Sequence, residues 1–131
     1  MIYIYKAELI RVVDGDTVDL IIDLGFDTSR KERFRLYGVD APEMNTAKGK
    51  AAKAWLEDAI RPPEPIYVQT IQLSTKAKRD KYGRFLAVLY KSEAGMEQDM
   101  DYADAEGIQN FFQSSINRRM IVEGHAKERY W

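Results

Sequence analysis

The chain has 131 residues, 45% of them hydrophobic, with eight tyrosines and five phenylalanines. That fits a single domain able to bury about two thirds of its unfolded surface, and it excludes a disordered or fibrous class. The absence of cysteine excludes a disulfide framework and a thiolate metal site, and a formal net charge of -1 argues against nucleic-acid binding by overall attraction. Charge is instead sorted along the chain. Arg30, Lys31, Arg33 and Arg35 form one basic group, Lys48, Lys50 and Lys53 a second, and Lys76, Lys78, Arg79, Lys81 and Arg84 a third, whereas residues 93–106 hold six acids and no base.

The amino terminus, MIYIYKAELIRVV, alternates apolar and polar residues and lacks a basic n-region followed by an apolar h-region, so it reads as a strand and not as an export signal. On that expectation the chain as given is cytoplasmic, and secretion would need a leader already removed. Alternation predicts strands over 2–13, 17–24 and 33–39, separated by turns at DGD and GFDTSR. From a candidate cap at Asn45, the residues Ala52, Trp55, Leu56, Ala59 and Ile60 recur at helical spacing until RPP stops the helix. IYVQTIQL and RFLAVLY predict two further strands joined by a basic loop. An acidic loop follows, and then a capped helix in SSINRRMIVEG ended by Gly124. Five strands with a helix after the third predict an α+β, mainly β fold: a five-stranded oligonucleotide/oligosaccharide-binding (OB) barrel with two or three flanking helices, one domain over 1–131. No segment is long enough to span a membrane.

Two acidic turns carry the chemistry. In YGVDAPE, Asp40 and Glu43 are held apart by Ala41 and Pro42, and Pro42 fixes its own φ and pushes Ala41 towards an extended conformation, so the acids sit on a stiff turn. DGDT, Asp14 to Thr17, is by itself an ordinary hairpin signal with Gly15 easing the bend. Taken with Asp40 and Glu43 it places acids at neighbouring strand ends, where carboxylates repel unless a cation lies among them. Oxygen ligands favour a hard ion such as Ca²⁺ or Mg²⁺. Arg35, on the strand face opposite Phe34 and Leu36, and Arg84, after Gly83, offer guanidinium forks that match phosphate oxygens. The plainer alternative for each is a surface arginine bridging Glu32 or Asp80. His125 reads as a surface residue with no chemical role.

VVDGDTVDL, RFRLYGVDAPE and DKYGRFLAVLY, in that order, resemble the staphylococcal nuclease (thermonuclease) family over about residues 5–90, with a weaker match at INRRMIVEGHAK. The resemblance implies a calcium-dependent phosphodiesterase on a five-stranded barrel, cleaving DNA and RNA to leave 3′-phosphates. It implies Asp16, Asp40 and the Ala41 carbonyl as Ca²⁺ ligands, Glu43 as base or water-positioning group, and Arg35 and Arg84 on the phosphate. Lys81 and Tyr82 match positions that contact the nucleotide phosphate, and Tyr130 an aromatic of the nucleotide pocket. Ala41 stands where the best-known members have threonine, a change that a backbone ligand tolerates. The expected partners are DNA and RNA, with no membrane, for a monomer. The alternative is a catalytically silent nucleic-acid-binding or protein-interaction module of the same fold.

Overall fold

The computed structural model describes residues 3–71, 85–92 and 114–129. In chain order these form β1 (Tyr3–Asp14), β2 (Thr17–Asp23), β3 (Ser29–Leu36), β4 (Val39–Asp40), α1 (Ala47–Ala59), β5 (Ile66–Ile71), β6 (Phe85–Tyr90), α2 (Ile116–Val122) and β7 (Lys127–Glu128). Five strands close into a barrel in the order β1-β2-β3-β6-β5, with β3 and β6 parallel and the other pairs antiparallel, while β4 and β7 pair separately. The predicted OB-type barrel is therefore present, with two helices among the described residues.

Strand β1 pairs with β5 through Tyr3–Ala7 and with β2 from Ala7 onward, so one strand serves two sides of the barrel. It bends at two register shifts, Leu9/Arg11 and Val12/Asp14, where an extra residue increases local twist as closure requires. The alternation has its expected consequence. Val18, Leu20 and Ile22 of β2 and Phe34 and Leu36 of β3 are buried inside, and Val68, Ala87 and Leu89 meet them from β5 and β6. Their β2 and β3 neighbours Asp19, Ile21, Lys31, Arg33 and Arg35 lie on the outer face.

Helix α1 starts one residue later than the sequence suggested: Thr46, not Asn45, is its cap, with Thr46 Oγ1 accepting from Gly49 N at 3.0 Å. The threonine wins because its hydroxyl also donates to the Glu43 carbonyl at 2.6 Å, tying the helix start to the preceding turn. The helix lays Gly49, Ala52 and Leu56 against the barrel. Helix α2 is capped by Ser115 and ends as expected at Gly124, φ +83°, with Gly124 N donating to Ile121 O and His125 N to Met120 O, both at 3.0 Å. Its Asn117 is buried and ties the end of β3 to the middle of β6: Nδ2 donates to Tyr37 O and Ala87 O, and Oδ1 accepts from Leu89 N. No described helix is long and apolar enough to cross a membrane.

Candidate active site

The β1–β2 turn, the end of β3 and the turn after β4 meet at one rim of the barrel. Asp16 is seated there by three separate segments. Its backbone carbonyl accepts from Leu36 N at 2.8 Å, its Oδ2 accepts from Ala41 N at 3.1 Å and from Arg35 Nη2 at 3.5 Å, and its Oδ1 accepts from Thr17 Oγ1 at 3.1 Å. Gly15 makes that approach possible by lacking a side chain, and a left-handed backbone plays no part. A Cβ at Gly15 would lie 2.7 Å from Ala41 Cβ and 2.9 Å from Ala52 Cβ.

Arg35 sits between the acids. The same Nη2 donates to Val39 O at 3.1 Å and lies 3.9 Å from Asp40 Oδ1. Only 12% of the Arg35 side chain and 13% of Asp16 are exposed, against 34% of Asp40, so the first two are built into the wall and Asp40 faces outward. Arg35 is thus no surface arginine bridging Glu32, since Glu32 pairs with Arg30 at 2.8 Å. Glu43 is exposed on the next turn. Its position is fixed from behind: Thr46 N and Thr46 Oγ1 both donate to its carbonyl, and a side chain at Gly49 would collide with the Pro42 and Glu43 carbonyls. The stiff turn read from the sequence is braced by the helix start as well as by proline.

Burial first, and then the neighbouring Asp14 carboxyl, raise the Asp16 pKa to about 6 against the opposing pull of the Ala41 N–H and the Arg35 charge. A carboxylate still pushed up beside an arginine is short of positive charge, which suits an added cation. Among the described residues, however, no three His, Cys, Asp or Glu side chains converge as a metal cage. Asp16 and Asp40 with a backbone carbonyl are oxygen donors that could hold a hard divalent ion if water or substrate oxygens completed its shell.

Two groups escaped the sequence reading. Arg129 Nη1 lies 3.7 Å from Asp40 Oδ2, and Arg129 N donates to Gly38 O at 3.0 Å, next to the β4–β7 pairing of Val39 with Glu128 and Asp40 with Lys127. A two-residue strand formed across such a sequence gap leaves no local pattern. His125 is also not a free surface residue: it is half-buried and stacked on Trp55 at 5.4 Å between ring centroids. Four of the expected substrate and phosphate residues, Lys81, Tyr82, Arg84 and Tyr130, lie outside the described residues, as does the acidic 93–106 stretch.

A closed OB-type barrel whose rim sets the largely buried Asp16 and the outward-facing Asp40 around an arginine defines a class of small barrel proteins with a charged, polar rim. Comparison with known proteins narrows the class. The family model described as "Staphylococcal nuclease homologue" matches residues 33–131, and the chain belongs to that family. It is 34% identical over 86 residues to a protein named micrococcal nuclease from Shigella flexneri, covering 66% of this chain and 42% of that one. It is 29% identical over 85 residues to Protein ParB of Escherichia coli, covering 65% and 41%. An uncharacterized endonuclease of Haemophilus influenzae is 29% identical over 94 residues, covering 72% and 47%. The chain thus spans less than half the length of these curated relatives. The family match begins at Arg33, so Arg35, Asp40 and Glu43 fall within it, and Asp16 joins them through the fold.

Proposed function

We propose that the chain is a calcium-dependent nuclease hydrolysing phosphodiester bonds of DNA and RNA with little sequence specificity and leaving 3′-phosphate ends. The observation that carries this reading is the convergence of Asp16, Arg35 and the Asp40–Ala41 backbone, from three segments, on one rim. Family membership and the nuclease and endonuclease names of two relatives support it.

Asp16, Asp40 and the Ala41 carbonyl would hold the metal, which when bound withdraws charge from a phosphoryl oxygen and makes a nearby water more acidic. Arg35 donates to the phosphate and stabilises negative charge as it builds on the non-bridging oxygens, with Arg84 as its expected second fork. Glu43 orients the attacking water and accepts its proton. The new P–O bond forms as the bond to the 5′-oxygen breaks, and that oxygen leaves with a proton from solvent, giving a 5′-hydroxyl and a 3′-phosphate. Backbone recognition explains low sequence selectivity, because phosphates carry no base information. Lys81, Tyr82 and Tyr130 complete the proposed substrate contacts.

Digestion of a supercoiled plasmid and of a single-stranded RNA, each in Ca²⁺, Mg²⁺ or chelator, tests the reading. It requires cleavage of both in Ca²⁺, little in Mg²⁺ because that ion demands near-ideal octahedral geometry and gives up water reluctantly, none in chelator, and 3′-phosphate on the products. Equal turnover in Mg²⁺ or 5′-phosphate products would contradict it, and intact nucleic acid throughout would favour a silent binding module.

A further inference from the structure

The β4–β7 pairing brings a second guanidinium to Asp40, and the rim chemistry gives it no part. Val39 pairs with Glu128 and Asp40 with Lys127, and Arg129 N donates to Gly38 O at 3.0 Å, so the backbone fixes Arg129 diagonally across from Asp40. Alternation then puts Asp40, Lys127 and Arg129 on one face. Glu128 takes the opposite face, where Arg118 holds it through two bonds of 3.1 and 3.2 Å.

Both oxygens of the Asp40 carboxylate therefore face a cation. Arg35 Nη2 lies 3.9 Å from Oδ1 and Arg129 Nη1 lies 3.7 Å from Oδ2. Each distance is well beyond the length of about 2.8 Å at which a charged hydrogen bond closes, so both are ion pairs through space. The two arginines differ in their freedom. Arg35 is 12% exposed, and its Nη2 is tied to Val39 O and to Asp16 Oδ2, whereas the Arg129 side chain is 61% exposed and follows directly on a two-residue strand. A dication that takes Asp40 as a ligand meets two like charges there, and only the exposed one can yield.

We infer that Arg129 is an exchangeable counter-ion of Asp40: it pairs with the carboxylate in the metal-free protein, gives way when a divalent cation binds at the rim, and so sets the metal concentration at which the site fills. This rests on the reading of Asp40 as a metal ligand and deepens it by naming what the metal competes with. An arginine acting as a brace is held at hydrogen-bond distance and shielded, as Arg118 is on Glu128 with 18% of its side chain exposed. At 3.7 Å and in solvent, Arg129 supplies charge without grip. Its backbone stays bonded to Gly38 O after the side chain moves, so part of its charge still opposes the metal.

Calorimetric titration of the whole chain with CaCl₂ at low, fixed salt, with melting temperatures in chelator, tests the proposal. Arg129→Ala should tighten Ca²⁺ binding about five-fold, the order that Coulomb interaction in water gives for one neighbouring unit charge against a dication. Arg129→Lys keeps the charge and should change affinity less than about two-fold. Lys127→Ala removes the same charge from the same face, from a side chain with no ion pair to a described residue, and should tighten binding by about two-fold or less. In chelator the Arg129→Ala protein should melt within a few degrees of the unaltered chain, because an exposed ion pair contributes little. Weaker Ca²⁺ binding by Arg129→Ala would make Arg129 a brace for the ligand and overturn the proposal, as would a gain that Lys127→Ala matches. Ca²⁺ that binds the unaltered chain and Arg129→Ala alike sinks the counter-ion alone. Ca²⁺ that binds none of these proteins sinks the metal reading of the rim, and the counter-ion role falls with it.

Discussion

The two ends of β2 are both hairpin turns, and they are built on opposite terms. At one end Gly15 and Asp16 are clamped by residues far along the chain, Arg35, Leu36, Ala41 and Ala52. At the other, Gly25 to Thr28 is closed by hydrogen bonds within its own few residues and stands in solvent. The first turn buries charge, and the second exposes an aromatic ring. A turn held from many directions fixes its side chains tightly enough to preorganise a reacting group, whereas a locally held turn can present a side chain outward without being anchored to the core.

If the clamped turn is the chemical end, damage there should be far the larger. Arg35→Lys keeps the positive charge and loses the planar fork that reaches Asp16 and Val39 O, so kcat for oligonucleotide cleavage should fall by roughly 10²–10³. A loss below ten-fold would make Arg35 a structural strut. Gly15→Ala should come next, costing about 1–3 kcal/mol in urea unfolding, because the new methyl must displace Ala41 or Ala52. Unchanged stability would mean the clamp is loose.

Asp16→Asn sharpens the contrast by its sign. A buried carboxylate beside Asp14 is costly in the metal-free protein, and asparagine keeps an acceptor for Ala41 N–H. Metal-free melting temperature should therefore rise by a few degrees, about 1 kcal/mol, while stabilisation by added Ca²⁺ disappears. A fall in stability would show that the Arg35 pairing outweighs burial. The smallest effect belongs to the outer face. Its hydrogen bond with Arg33 lowers the Asp19 pKa, so the stability it lends is fully present above the unfolded pKa of about 3.9 and is lost as pH falls through the lower folded value. Asp19→Asn should be slightly less stable than the unaltered chain at pH 7 and indistinguishable at pH 2, and a difference that persists at pH 2 would place the effect in packing and not in charge.

What the sequence made readable follows the same division. Alternation located the barrel strands, and Pro42 with Gly124 marked a turn and a helix end, because each depends on neighbours within a few residues. The roles at the rim were harder. Gly15 looked like a conformational turn residue, and its real constraint is Ala52, which is distant in sequence. Arg35 was assigned to the polar face correctly, but its burial depends on Asp16 and the β4 turn closing over it. Thr46 displaced Asn45 as the cap through its bond to Glu43, and Arg129 reached Asp40 only because β7 pairs with β4. Long-range pairing of short segments has no periodicity to betray it.

The central claim is that the rim converts a bound phosphodiester, and Glu43 tests it most directly because its side chain is exposed while the turn beneath it is held through the backbone. Glu43→Gln keeps size and hydrogen bonding while removing the capacity to accept a proton. Measured in Ca²⁺ at fixed salt, it should leave oligonucleotide affinity within a few-fold and reduce kcat by about 10²–10⁴. Turnover equal to that of the unaltered chain would contradict the account.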